Sequence, residues 1–405
     1  MRYEDMEYEN FKNILGAIDD LRDPSRAQIA KHLSLSRTTL TNMTSLLIEK
    51  KILVESDTLR TEASRGRPGT VLRYSDDTWF ALGAAFYSSK WNFVICSLSG
   101  KIIKEYTIQV DPLTPEVLIS KLLAGIEHML PLVPGKLLPG IGIGAPGVVD
   151  SENGAILWAY DLKWYHSIDI KRAVKARFNL EAYCLNRYTL AGLAEFKYAN
   201  PDGERNMVYV GLGSGIRSAI FVNGKLVEGA SYSAGRIGHI PIDPHGPLCQ
   251  CGKRGCLLAL ANDTALLSYA RGFALQPEYA GSVLNQIDDF TITDIIINAD
   301  SGDPCCIRAM DMIIEPIITA IAILVDVVNP KKIVLGGPIG YSSQYLAQRV
   351  RDAANRIAAE TPYRVMSIVP GKLKDNGSAL GAATLVLDRK CDLLYAQLFK
   401  GASGK

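Results

Sequence analysis

The stretch Gly235-Arg-Ile-Gly-His239-Ile-Pro-Ile-Asp-Pro-His-Gly-Pro-Leu-Cys249-Gln-Cys251-Gly-Lys-Arg-Gly-Cys256 contains the pattern His-x9-Cys-x-Cys-Gly-x2-Gly-Cys. Three soft thiolates and one imidazole are the ligand set of a closed, tetrahedral structural site, with no position left for a catalytic water. The pattern therefore predicts structural Zn2+ held by His239, Cys249, Cys251 and Cys256. Gly252 and Gly255 let the backbone turn tightly where a Cβ would obstruct it. Clustered Cys and His at ligand spacing separates this reading from three buried thiols beside a surface histidine. Cys249 and Cys251 are also too close in sequence for an easy disulfide. Cys96, Cys184, Cys305, Cys306 and Cys391 show no such spacing and are expected to pack as small core residues.

Working outward, the 405 residues suffice for roughly two or three domains, each with its own core. A hydrophobic content of 48% and a charged content of 21% exclude a disordered, highly charged chain. No apolar, charge-free run reaches the ~18 residues of a membrane span, so no membrane partner is expected. The segment MRYEDMEYEN is too acidic and polar for a signal peptide. With thiolate ligands besides, the expected location is cytoplasmic.

The net charge of +2 says little, but its distribution says more. Residues 1–25 hold three basic and seven acidic side chains. Residues 26–75 hold nine basic (Arg26, Lys31, Arg37, Lys50, Lys51, Arg60, Arg65, Arg67, Arg73) and four acidic (Glu49, Glu55, Asp57, Glu62). A basic module on a nearly neutral protein suits a polyanion.

That module has a readable plan. Ser25-Arg-Ala-Gln28 is a capping box, and Ile29 and Leu33 give the next helix its buried stripe. Ser34-Leu-Ser36 is a tight turn, with Ser36 placed to cap a second helix from Arg37. Leu40, Met43, Leu46 and Leu47 share one face of that helix; Arg37, Thr38, Thr39, Thr41, Asn42 and Ser45 share the other. Hydroxyls, an amide and a leading arginine suit base edges and phosphates in a major groove. A strand at 52–54, a polar stretch through Arg65-Gly-Arg67 and a return at Val71-Leu72 make this a winged helix-turn-helix, with Arg65 and Arg67 on the wing. Helical pattern alone fits an ordinary three-helix protein-binding module equally well; wing and charge favour double-stranded operator DNA.

From about residue 78 strands and helices alternate. Strands are predicted at 81–86, 93–97 and 102–109, a helix at 115–130 and a strand-to-loop passage at 141–147. A second meander follows at 206–212, 216–222 and 225–228, with Asn223-Gly224 as its hairpin turn. Two halves that each open with a meander predict duplicated α/β lobes facing a ligand cleft.

The Gly235–Cys256 run, Gly144-Ala-Pro-Gly147, Gly336-Gly337 after the strand at 333–335 and Gly377-Ser-Ala-Leu-Gly-Ala-Ala383 together resemble the motifs of the ROK family. That family contains bacterial sugar kinases and sugar-responsive repressors, and the resemblance covers the whole chain. It implies an α/β protein: a winged helix-turn-helix (1–75) joined to a two-lobed, actin-like (ribonuclease H-like) body. The lobes would span 76–199, completed by a helix at 377–398, and 200–376 with the zinc motif.

The same comparison exposes departures. The family's general base is an aspartate after an asparagine, whereas here the pair is Asn186-Arg187, and a guanidinium cannot act as that base. The first phosphate loop reads Ala85-Phe-Tyr-Ser-Ser89, without the family's opening aspartate, and the second reads Gly213-Ser-Gly-Ile-Arg-Ser-Ala219. Tyr87 and Arg217 are expected to hinder a phosphate there, so no ATP use is expected. Two glutamates usual in the sugar pocket are replaced by Arg236 and Leu258, while Asn186 and His239 remain.

Asn186, Arg187, Arg236 and His239 are thus the expected effector-binding residues. Two arginines in place of acids point to an anionic sugar derivative, against drift in a disused pocket. The function implied is a DNA-binding transcriptional regulator, a repressor of carbohydrate-related genes, without enzymatic activity. A homodimer or homotetramer would set two heads on a pseudo-palindromic operator. The alternatives are a sugar kinase with an atypical site and a regulator sensing a protein partner.

Overall fold

Short polar caps and apolar stripes set the amino-terminal elements. The computed structural model describes residues 3–21, 23–57, 70–159, 162–360 and 366–400. The acidic segment before residue 25 is itself helical: α1 (Tyr3–Leu21) buries Phe11, Ile14, Leu15 and Ile18, a short stripe that the flanking acids mask in sequence. In α2 (Arg26–Leu33) the Ser25–Gln28 capping box forms as expected. Ser34 adopts a left-handed φ of 53°, and α3 (Arg37–Glu49) starts on Ser36, whose Oγ accepts from Thr39 N at 3.1 Å. The antiparallel pair β1 (Leu53–Asp57) and β2 (Thr70–Tyr74) follows. Arg26 ties these parts together, donating from Nε to Thr44 Oγ1 at 3.0 Å and pairing with Glu55.

The remaining chain builds two five-stranded sheets on one plan. In the first, β3 (Trp79–Tyr87), β4 (Lys90–Ser97) and β5 (Ile102–Gln109) form an antiparallel meander. After α4 (Pro115–Met129), β6 (Lys136–Ala145) adds parallel to β3. A small sheet, β7 (Val148–Asp150), β8 (Ala155–Trp158) and β9 (Ile168–Asp169), and the helix α5 (Ile170–Phe178) precede β10 (Ala182–Asn186), which is parallel to β6. The helix α6 (Arg187–Tyr198) then leads to the second sheet. There β11 (Met207–Leu212), β12 (Ile216–Val222) and β13 (Lys225–Leu226) form the meander. Asn223 and Gly224, at φ 52° and 82°, make the primed turn that suits a two-residue hairpin.

Four helices follow: α7 (Leu257–Ala261), α8 (Asp263–Ala274), α9 (Ile292–Asp300) and α10 (Pro304–Val328). Then β14 (Lys332–Gly336) pairs parallel to β11, and β15 (Ser367–Pro370) parallel to β14, across α11 (Gly337–Ser342) and α12 (Gln344–Glu360). The orders β5-β4-β3-β6-β10 and β13-β12-β11-β14-β15 are the same in chain terms, third-second-first-fourth-fifth. Central strands such as β3 and β11 are covered on both faces, which explains their unbroken apolar runs.

Between the sheets lie α6 and α13 (Gly377–Leu387). The latter, made of small residues, lies flush on β3 and β6: a Cβ on Gly83 or Gly142 would overlap the backbone of Ala379 to Ala383. On its other side it meets α6, where a Cβ on Gly381 would overlap Leu190 O. The expected helix at 377–398 is broken, with α14 (Lys390–Tyr395) starting after Asp388 and Arg389. The break redirects α14 onto α1. Lys390 Nζ pairs with Asp19 at 2.6 Å, Tyr8 bonds Asp392, and Tyr395 packs edge-to-face on Tyr8 and Phe11. The apolar core of the head is therefore continuous with that of the first sheet.

Candidate functional site: a cationic cleft beside a His/Cys cluster

Tight backbone contacts place residues 235–256 against the second sheet. Gly235, at φ 77°, lies so close to β12 that a Cβ would overlap Ser218 O, and its own carbonyl accepts from Ser218 N at 2.8 Å. Gly255 is equally constrained, since a Cβ there would overlap Asp243 O. The loop folds on itself through Cys249 N to Lys253 O (2.7 Å) and Gly255 N to Pro247 O (2.8 Å).

This folding gathers one ligand atom from each of His239, Cys249, Cys251 and Cys256 within 4.8 Å of one another. Cys251 Sγ lies 3.7 Å from Cys256 Sγ, and Cys249 Sγ lies 3.7 Å from His239 Nδ1. A tetrahedron with metal–sulfur bonds of about 2.3 Å has edges of about 3.8 Å, so donor type and spacing both fit zinc. The separations are far beyond the ~2 Å of a disulfide.

Arg236 and His239 project from the same loop into a cavity between the sheets. The cavity is also lined by Asn186, Arg187, Tyr188, Arg217 and Leu258. All four expected effector residues thus meet in one place. Asn186 caps α6, accepting from Tyr188 N at 2.9 Å and donating from Nδ2 to Gly147 O at 2.7 Å. Arg187, the first residue of α6, is only 4% exposed. Its guanidinium faces the rings of Phe86, Tyr87 and Tyr188 at 5.9, 5.4 and 5.1 Å, a cation–π box.

Sequence reasoning missed Asp263, the first residue of α8. Burial raises its carboxyl to about 6, and the charge of Arg187 opposes that rise. The nearby charge of Arg187 favours its ionised form. No spacing links positions 187 and 263, so only the fold reveals the pair. Arg217 differs from expectation in another way. It does not lean over the glycine loop but turns into the cavity, where Nη2 donates to Tyr232 O (3.1 Å) and Ala234 O (2.9 Å).

The glycine loop is covered by aromatic rings. A Cβ on Gly213 would overlap the Tyr87 hydroxyl, and one on Gly215 would lie 3.0 Å from the Tyr188 ring. Gly215 N donates to Tyr188 Oη at 3.1 Å, so an amide that could face a phosphate is already satisfied. Burial also drives the Tyr87 phenol well above its ordinary value, which keeps it neutral.

On the head, Arg37, Thr38, Thr41, Asn42 and Ser45 form an exposed face on α3. Thr39 is half-buried, its Oγ1 2.8 Å from the Ser36 hydroxyl. Arg65 and Arg67 lie outside the described residues.

Residues 88–389 match the ROK family. The chain belongs to the ROK family. This ROK chain is 28% identical over 378 residues to the xylose repressor of Caldicellulosiruptor bescii, covering 92% of this chain and 94% of that protein. Its fold matches a ROK family transcriptional regulator, a homologue of the Escherichia coli MLC protein, with a TM-score of 0.79 and 24% identity, over 96% of this chain and 98% of that one. A ROK glucokinase from Streptomyces griseus, solved with glucose and AMPPNP, matches with a TM-score of 0.68 and 24% identity. It covers 76% of this chain and 98% of its own. The ROK body is therefore a mixed α/β, actin-like structure, and helices precede it.

Proposed function

We propose that this ROK protein is a DNA-binding transcriptional regulator, a repressor of carbohydrate-related genes, with a non-catalytic effector body. One observation carries the reading. The ROK regulators match 92% and 96% of the chain, and so take in part of the head, whereas the glucokinase match covers 76% of it. Residues 1–75 are then a winged helix-turn-helix, followed by lobes at 76–199 (with the 377–398 segment) and 200–376.

In this reading α3 enters the major groove of operator DNA, presenting Arg37, Thr38, Thr41, Asn42 and Ser45. Thr39 serves as part of the cap, and Arg65 and Arg67 reach the adjacent backbone or minor groove. Two heads of a homo-oligomer would span a pseudo-palindrome. His239 Nδ1 and the thiolates of Cys249, Cys251 and Cys256 would hold zinc, which when bound supplies a closed structural cross-link. His239 also lines the cavity, so the cross-linked loop and the ligand share a residue.

The cavity would take a small sugar derivative. Its floor is the start of α6, which packs against α13, and α14 continues from there to α1. A ligand that favours one lobe arrangement would bias the heads through these packed helices. The body binds without phosphoryl transfer, since Arg187 stands at the base position and Tyr87 and Tyr188 cover the glycine loop.

Operator titration with genomic sites recovered by chromatin mapping tests the reading. Asn42→Ala should weaken binding by roughly tenfold or more and relax one base position. Arg37→Ala should weaken it across sequences and shallow the salt slope by about one unit. Unchanged affinity and slope in both variants would remove α3 as the DNA reader.

A further inference from the structure

Among the described residues Arg217 is a buried cation without a counter-ion. It stands on β12, turned into the cavity, with 8% of its surface exposed. Both of its hydrogen bonds to carbonyls come from Nη2, and its enclosed Nε has no partner. Among the described residues no carboxylate forms an ion pair with it. Burial lowers its guanidinium to about 10, and the neighbouring charge that adds to this is another cation, Arg236. Buried charges are ordinarily paired, and a carbonyl dipole is a poor substitute for a full negative charge. Arg187 stands apart, since Asp263 and three rings balance it.

We infer that the cavity is built for a sugar-sized ligand bearing an acidic oxygen group, a carboxylate or phosphate, held by Arg217 and Arg236. The inference rests on the cleft being the effector site and adds the charge class of the effector. Charge-assisted hydrogen bonds to such a group are roughly twice as strong as neutral ones. A neutral sugar would leave Arg217 as unbalanced as before. Asn186 and His239 remain at the same cavity to meet hydroxyls.

The test is thermal melting of the full-length protein at fixed ionic strength with glucose, glucuronate, glucose 6-phosphate or inorganic phosphate. At least one anion should stabilise the chain with an apparent affinity roughly tenfold or more tighter than that of glucose. Arg217→Met should abolish that preference; if this variant does not fold, Arg236→Gln, at a partly exposed position, is read in the same way. A response to glucuronate identifies a carboxylate ligand, and a response to either phosphate identifies a phosphate ligand. No anion outperforming glucose, or a preference retained in the variant, overturns the inference. Operator affinity is measured beside it: an anion that binds but leaves operator affinity unchanged counts against the regulatory reading and leaves the anion site standing.

Discussion

In the proposed reading Arg187 takes the position of the kinase base, yet its surroundings decide more than its charge does. The side chain is fixed from three sides by Phe86, Tyr87 and Tyr188 and faces Asp263. Restoring a carboxylate at this one residue would therefore not restore a phosphate cradle, because the rings at Gly213 and Gly215 would stay. The wild-type chain and Arg187→Asp are both expected to release no ADP above background in a coupled assay over a panel of neutral sugars. Turnover by either would show that Tyr87 and Tyr188 swing aside, and with that the non-catalytic reading would fall. The substitution of the base was visible in the sequence. Its aromatic box and its acidic neighbour were not, because they come from β3, α6 and α8, joined only by folding.

At the level of elements, legibility followed local chemistry. The Ser25 capping box, the Ser36 cap and the Asn223-Gly224 turn each depend on a few adjacent residues, and each formed where expected. Helix α1 was missed because its short apolar stripe, Phe11 to Ile18, is flanked on both sides by acids that read as solvated surface. The break between α13 and α14 was missed for a different reason: it serves a contact with α1, far away in sequence. The loop from His239 to Cys256 was the most legible element, and its metal can be tested directly. Elemental analysis should find about one zinc per chain. Cys251→Ser should lower that stoichiometry and the melting temperature, by roughly 5–10 °C if about 3 kcal/mol of cross-linking is lost. An unchanged melting temperature after complete metal removal would show that the hydrogen bonds of the loop suffice.

For the molecule as a whole, the head is not a bead on a string. Tyr395 is almost fully buried among Tyr8, Phe11 and Phe399, and Lys390 bridges Asp19 and the face of Tyr74. Tyr395→Ala should cost about 3 kcal/mol by leaving a cavity in this shared core. It should also weaken operator binding, although residue 395 lies outside the DNA-reading face. Denaturant unfolding followed beside operator titration would check both effects; a loss of stability with intact DNA binding would mean that the head holds its shape alone. Production of the protein has its own consequence. Tyr8 and its partner Asp392 are 384 positions apart. At elongation rates of about 5–20 residues per second, Tyr8 leaves the ribosome roughly 20–80 s before Asp392, in the segment that closes the core of the head. Throughout that interval Phe11 and its neighbours lack part of their cover, so the nascent head presents apolar surface that a chaperone would shield.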